Sequence, residues 1–482
     1  MALDQQRNWT ISMADNLDQS KRRGGKVKGA QQGNNKSETL GEQGSDQTAD
    51  DVTSRPTINP IYLPDEIILQ ILEYISHTRE SQKTLASCCL LSHQWLDAAT
   101  PLLYARPYLY GKNYDPFVRA ICPSINLHVR KSPLSELVKV LNMAALVHQG
   151  SKSLTARLLG RTKGSLEEFV APVASFAMNC LPALSKCRRL RVLDLSLVSE
   201  SPPVPDLFRT VAHLEELRTF RLPRSAGFGG SIHNRPPPAL TWPPNLQDLS
   251  LSGGIDAHFL HGVVAFPQTL RSLTIEHCPL AKGFALNHML RTAIRPLKSL
   301  ESISIRYMPR LSSHALDDLL FLLPQIRRLS ISVDYITPAL FDGEGHYDAL
   351  KSAVIDGDHT LGWTTENPNP LTNGPLQHQN LHYLELTNSG NPGVEDKISP
   401  IDIMIAIDEG VLPKLRQVRV AKSLLWHSSS TASDAEALAD VLQEASKRDW
   451  ETRSEEFRGI NTEEGERRRV WEGVSGVWMF DG

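Results

Sequence analysis

From residue 190 onward one six-residue pattern keeps returning: LRVLDL at 190–195, LRTFRL at 217–222, LQDLSL at 246–251, LRSLTI at 270–275, LESISI at 300–305 and IRRLSI at 326–331. A worn LKSAVI at 350–355, then LHYLEL at 381–386 and LRQVRV at 415–420, continue it. Leucine is common, so one match carries nothing; nine in succession at intervals of 24 to 34 residues set a period. Inward-type apolar residues at the fourth and sixth places alternate with mostly polar ones at the third and fifth, the pattern of a strand with one buried face. Helical spacing fills most of the intervals, at 206–214, 256–264, 284–294, 313–323 and 399–408. Units of this size bury their apolar side only against their neighbours, so they stack.

Pattern and period are those of a leucine-rich repeat. The expected fold class is an α/β solenoid, a leucine-rich-repeat horseshoe over 186–426 with its strands lining the concave side. With the fourth and sixth residues inward, the third, the fifth and the one following the sixth face out. The fifth places form a central row of Asp194, Arg221, Ser250, Thr274, Ser304, Ser330, Val354, Glu385 and Arg419. Ser252, Ser272, Glu276, Ser302, Arg306, Arg328, Ser332 and Tyr383 flank it. The middle is small and hydroxylic, with Glu276 on one side and Arg306 and Arg328 on the other, which suits an extended or acidic segment of a protein target. Glu276, Ser304, Arg306, Arg328, Ser330, Tyr383 and Glu385 are therefore the candidate target-binding residues. A merely solvated sheet face explains the same polar side chains equally well.

Ahead of the repeats the chain changes character. Residues 1–57 hold too few large apolar side chains to offset the entropy of ordering, and read as a disordered tail. Within it KRRGGKVKG, at 21–29, is either a nuclear-localisation signal or a solvated charge run. In LPDEIILQILEYI, at 63–75, Pro64 suits a helix start, and Asp65 and Glu66 complement the positive end of the helix dipole. Ile67, Ile71 and Ile75 recur at helical spacing with Ile68 and Leu72 beside them, an apolar face wider than one short helix can bury alone. A polar loop at 76–83 precedes TLASCCLL at 84–91 and SHQWLDAATPLLY at 92–104, where Ser92 is placed to cap a helix carrying Trp95, Leu96 and Ala99 on one face. Three helices in about 45 residues fall short of a self-sufficient core, so a partner surface is expected to complete them.

The run LPDEIILQILEYI…TLASCCLLSHQWLDAATPLLY resembles an F-box in its Leu-Pro start, its Ile-rich first helix, its Ser before a Trp-bearing helix and its closing LLY. The resemblance spans 59–107. It implies a small three-helix F-box domain that docks on a Skp-type adaptor, and through it on a cullin scaffold. The residues it implies for docking are Leu63, Pro64, Ile67, Ile71, Leu72, Ile75, Leu91 and Trp95. A generic bundle packed wholly inside the protein is the other reading of these helices.

Between the two parts, 108–185 reads as a helical connector or irregular early repeats, with helical spacing at 132–147 and 165–184. Pro-, Gly- and Asn-rich stretches at 223–245 and 356–380 read as long loops, whose Trp242 and Trp363 either meet a partner or pin their own loop. At the end, 427–482 reads as a long helix with Ala437, Val441, Leu442 and Ala445 on one side, then Trp471, Val474, Val477, Trp478 and Phe480, which form either a cap on the last repeat or an aromatic docking peptide for another protein.

No catalytic or metal-ligating grouping stands out. DGDH at 356–359 is turn chemistry, and GFGG at 227–230 lacks the context of a phosphate-binding loop. No enzyme activity, cofactor or metal is expected. A net charge of −3 gives no global field for nucleic acid or an anionic membrane. Six dispersed cysteines without a CxxC pair point to reduced thiols in the cytoplasm or nucleus. No signal peptide or membrane span is indicated. The function the F-box resemblance implies, together with the repeats that follow it, is the substrate-recognition subunit of a Skp-cullin-F-box type ubiquitin ligase, with a non-degradative interaction scaffold as the alternative.

Overall fold

Every described copy of the repeated pattern is a strand, and neighbouring strands are all parallel. The computed structural model describes residues 63–75, 78–124, 132–146, 151–227, 240–256, 259–260, 266–341, 380–389, 398–428, 430–456 and 475–481. The tail at 1–57 with its basic run, the worn repeat with Val354, the DGDH run, Trp363, Trp471 and Val474 lie outside the described residues. The chain divides into two units, one reaching Val138 and the other starting at Lys139.

The first unit is helical: α1 (Asp65–Glu73), α2 (Arg79–Cys88), α3 (His93–Ala105) and α4 (Gly111–Ile121). Ile68, Leu72, Leu85, Leu96, Leu103, Tyr104 and Phe117 are among its buried residues. α2 starts inside the stretch expected to be a polar loop. The reason is a capping box: Thr78 Oγ1 accepts the Ser81 N–H at 3.3 Å and Ser81 Oγ accepts the Thr78 N–H at 3.4 Å. Buried Gln82 is satisfied by the following segment, its Oε1 accepting the Tyr108 N–H at 3.4 Å. α3 begins as the sequence requires, with Ser92 Oγ accepting the Trp95 N–H at 3.3 Å. α4 carries the helical unit past residue 107.

The second unit is built on one sheet of eleven strands in chain order. They are β1 (Val140–Asn142), β2 (Glu168–Val170), β3 (Val192–Asp194), β4 (Thr219–Arg221), β5 (Asp248–Ser252) and β6 (Ser272–Glu276). Next come β7 (Ser302–Arg306), β8 (Arg328–Ser332), β9 (Tyr383–Thr387), β10 (Gln417–Ala421) and β11 (Gly476–Phe480). The strands from β2 to β10 each open on a shared hydrogen-bond fork. Arg191 O accepts the N–H groups of Arg218 and Thr219, both at 2.9 Å, and Arg218 O takes those of Gln247 and Asp248, both at 2.8 Å. The same fork recurs from Lys139 O to His382 O, and it sets the register residue by residue.

Between strands the chain returns through α5 (Lys152–Thr162), α6 (Leu181–Leu184), α7 (Val204–Val211), α8 (Gly283–Met289, running into a π-helical turn at Leu290–Ile294), α9 (Leu319–Leu322), α10 (Pro400–Asp408) and α11 (Ala432–Glu456). Only four residues of the helical spacing at 313–323 are α-helical. In α11 the buried stripe is Ala435, Leu438 and Leu442, so Ala437, Val441 and Ala445 sit at its margin. Trp242 pins its own loop: it is buried, with ring centroids 4.7 Å from Phe208 and 5.1 Å from Phe266.

Three strands fall outside the nine repeats. β1 and β2 lie in 108–185, where the spacing predicts helices; the structure has instead 3-10 turns at Pro133–Glu136 and Met178–Cys180 and the one-turn α6. The sequences VKVLNM (138–143), LEEFVA (166–171) and VSGVWM (474–479) fit the template with Val, Phe, Ala and Met in place of Leu. Leu141, Met143, Phe169 and Ala171 are fully buried, continuing the inward rows of Leu193 and Leu195. Pairing with a neighbouring strand outweighs local helical spacing, because a helix there would leave the β3 edge unpaired. The tail adds β11 beside β10 in the same way.

Truncation of an inward residue, Leu273→Ala or Leu329→Ala, should cost about 2–5 kcal/mol, while Thr274→Ala or Ser330→Ala should stay within about 1 kcal/mol. Denaturant melts of the four variants check this, and equal losses in both classes would contradict the register.

Candidate functional site

Two surfaces bear on function, one on each unit. In the helical unit α1 is apolar on two sides. Ile68 and Leu72 point into the core, while Ile67, Ile71 and Tyr74, at i, i+4 and i+7, are 41, 43 and 91% exposed. Leu69, Leu90 and Leu91 are exposed as well. Gln94 ties the first turn of α3 to the start of α1, its Nε2 donating to Leu63 O at 2.7 Å and to Asp65 Oδ1 at 2.6 Å. This brings the segment holding Leu91 and Trp95 beside Leu63 and Pro64.

Pro64 stands one place before the helix proper, with φ −56° and ψ 149°, where its missing N–H costs nothing. Leu63, Ile75 and Trp95 are half-buried. One expected docking residue is corrected: Leu72 is 2% exposed and holds the core together, because the helix turns it inward with Ile68. Leu69, Tyr74 and Leu90 were missed. Tyr74 was legible, since it continues the Ile67–Ile71 spacing. Burial pushes the Cys89 thiol up to about 11, so it is a packing group rather than a nucleophile.

On the sheet, strand pairing aligns Asp194, Arg221, Ser250, Thr274, Ser304, Ser330, Glu385 and Arg419 in one row. Its ends are self-neutralised. Arg221 donates to Asp194 at 2.8 Å, and Arg419 donates to Glu385 at 3.2 Å. Glu385, nearly buried, also accepts Ser330 Oγ at 2.9 Å and Tyr383 OH at 2.7 Å, and lies 3.6 Å from Arg306. Arg306 is 3.7 Å from Glu276 too. The structure thus gathers Glu276, Arg306, Ser330, Tyr383 and Glu385 into one network.

That network corrects the expectation that Arg306 offers a free charge to an acidic partner: two carboxylates already balance it. Arg328 differs. It is exposed, lies 5.6 Å over the Tyr383 ring and has no ion pair among the described residues. With Asp248, Arg271, Ser272, Glu301, Ser302, Arg327 and His382 it lines a groove of about 500 Å³ across the entrance of the strands. Arg271 and Arg327, absent from the sequence-based candidates, come from the second place of the template, which the outward-row rule passed over. Ser304 Oγ and Arg306 Nε are shielded from solvent without a hydrogen-bond partner among the described residues. Among the described residues no three His, Cys, Asp or Glu side chains are grouped to hold a metal.

Arg306→Glu should lower the melting temperature by several degrees, since it sets a third carboxylate against Glu276 and Glu385 and strips charged partners worth roughly 1–3 kcal/mol. Arg328→Glu should change stability by no more than about 0.5 kcal/mol. Calorimetric melts of the two variants check the contrast, and similar losses in both would count against the network.

Comparison with known proteins bears on the helical unit and on the chain as a whole. The F-box-like family matches residues 61–110. The chain is 30% identical over 382 residues to the F-box protein YDR306C of Saccharomyces cerevisiae, covering 76% of this chain and 72% of that protein. It is 28% identical over 346 residues to Protein pof5 of Schizosaccharomyces pombe, covering 71% of this chain and 84% of that one.

Proposed function

The chain belongs to the F-box protein family, and on that premise we propose that it is the substrate-recognition subunit of a Skp-cullin-F-box type ubiquitin ligase. The observation that carries the reading is the exposed stripe of Ile67, Ile71 and Tyr74 on a helix whose other side already has a core. F-box domains generally bind Skp-type adaptors. Here the stripe, with Leu69, Leu90, Leu91 and Trp95, is the surface for that adaptor, and burying a Leu or Ile fully contributes about 1.5–3 kcal/mol each.

The sheet unit, in the same reading, is a leucine-rich-repeat horseshoe that holds the target on its strand face. Arg271, Arg327 and Arg328, which have no ion pair among the described residues, favour an acidic segment, and the shielded Ser304 hydroxyl and Arg306 Nε offer hydrogen bonds that such a segment completes. The chain forms no covalent intermediate. It acts by raising the effective concentration of target lysines near a charged ubiquitin-carrying enzyme. Cytoplasm or nucleus is the compartment this role requires.

Ile71→Asp should abolish binding of a Skp-type adaptor while the thermal melt stays unchanged, because the residue is outside the core and a buried unpaired charge at the interface costs several kcal/mol. Calorimetric titration of adaptor into both proteins checks this, and equal affinities would remove the docking assignment. A cullin that co-purifies with the tagged wild type but not with the variant supports the ligase; adaptor without cullin indicates the scaffold instead.

A further inference from the structure

Directly after β5, β6 and β7 the chain turns with a left-handed residue in three successive coils: Gly253 (φ 87°), His277 (φ 53°) and Tyr307 (φ 54°). Register makes these equivalent positions, since Ser252 pairs with Glu276 and Glu276 with Arg306. Glycine takes this conformation without strain, and at Gly253 a Cβ would meet Arg224 O at 2.5 Å. His and Tyr at the same place are strained, and a bulky side chain there is an outlier. Strain kept in two adjoining coils, where glycine serves in the coil before, calls for a use of the side chains.

Their rings lie parallel, 4.5 Å between centroids and 2° between planes, and Tyr307 is 38% exposed. The backbone beneath is held independently of the rings. The Tyr307 N–H donates to Ser389 Oγ at 3.1 Å, and the Met308 N–H to Tyr335 OH at 2.6 Å. Exposed Arg224 lies near His277 and has no ion pair among the described residues; burial first, then the charges of Arg224 and Arg306, keep the imidazole below its usual pKa against the pull of Glu276. The platform is thus a flat π surface of two neutral rings beside a guanidinium. Arg224 repels a basic side chain, whereas an aromatic ring stacks on such a surface and an adjacent carboxylate meets the guanidinium.

We propose that the His277–Tyr307 pair is a docking platform on the rim of the target face, taking an aromatic side chain of a peptide segment whose neighbouring Asp or Glu pairs with Arg224. The platform adjoins Arg306 and Glu276, so the inference rests on the target-recognition reading above and specifies the chemistry of what is read.

The test uses the labelled full chain on an array of synthetic ten-residue peptides in a Gly/Ser background, with every pair of amino acids at the two central positions. Wild type should retain acidic–aromatic pairs at least ten-fold above the Gly/Ser peptide and above acidic–alanine pairs. Tyr307→Gly and His277→Gly should keep or raise the melting temperature, lose the aromatic preference and keep the acidic one. Arg224→Glu should turn the acidic preference beside the aromatic ring into a basic one. A lower melting temperature in both glycine variants with the aromatic preference intact would make the rings structural and overturn the proposal. An acidic preference that depends on Arg328 without any aromatic preference would overturn the platform and leave the target face standing; no retention of any pair would remove both.

Discussion

Each strand from β2 to β10 begins where one carbonyl of the previous coil accepts two successive N–H groups, and the register of the second unit depends on that fork. Arg191 O holds Arg218 and Thr219, Arg271 O holds Glu301 and Ser302, and His382 O holds Arg416 and Gln417. A slip of one residue would break the fork and turn every inward Leu outward. Because it never slips, the fifth residues of successive coils stand opposite one another, and charges far apart in sequence meet: Ser330 and Glu385 are separated by 55 residues yet bonded at 2.9 Å. The polar face is a product of register before it is a product of any one side chain.

The repeating sheet was legible because Leu at the inward places is both the packing residue and the visible signal. Where packing was done by other residues the signal faded. Val138, Leu141 and Met143 follow the template as faithfully as Leu190, Leu193 and Leu195, but spacing alone reads them as a helix. The same holds for Phe169 and Ala171 in β2. A template stated as apolar-x-x-apolar-x-apolar would have found all three strands. The helical return segments were harder to read, since a connection is free to take any compact route between fixed strand ends. That freedom explains why 313–323, with helical spacing throughout, makes only one helical turn.

At the candidate sites the sequence supplied the membership and the structure supplied the partners. Outward positions were assigned by alternation, which says where a side chain points and nothing about which neighbour it meets. Arg306 and Arg328 looked alike in that reading. Their neighbours separate them, because β7 lies between Glu276 on β6 and the reach of Glu385 on β9, while Arg328 faces the Tyr383 ring. A paired guanidinium anchors the face and an unpaired one is available to a ligand. Complementary charges at an interface act chiefly on specificity and encounter rate, so under the proposed target-binding reading Arg271, Arg327 and Arg328, which have no ion pair among the described residues, are the guanidinium groups that would select a target.

Helix α1 shows the same division within a single element. A helix that only packs needs one apolar stripe, and α1 has it in Ile68 and Leu72. The second stripe, Ile67, Ile71 and Tyr74, adds nothing to the isolated unit and exposes apolar surface to water, which a chain under no other demand would replace with polar residues. Leu72 was grouped with the second stripe because the sequence presents five apolar residues within nine positions, and hydrophobicity alone does not say which of two stripes the core takes. The core decides it through α3, which Gln94 fixes against the start of α1 at Leu63 and Asp65. Once α3 covers Ile68 and Leu72, the remaining stripe is left exposed on the helical unit, and the proposed adaptor docking rests on it.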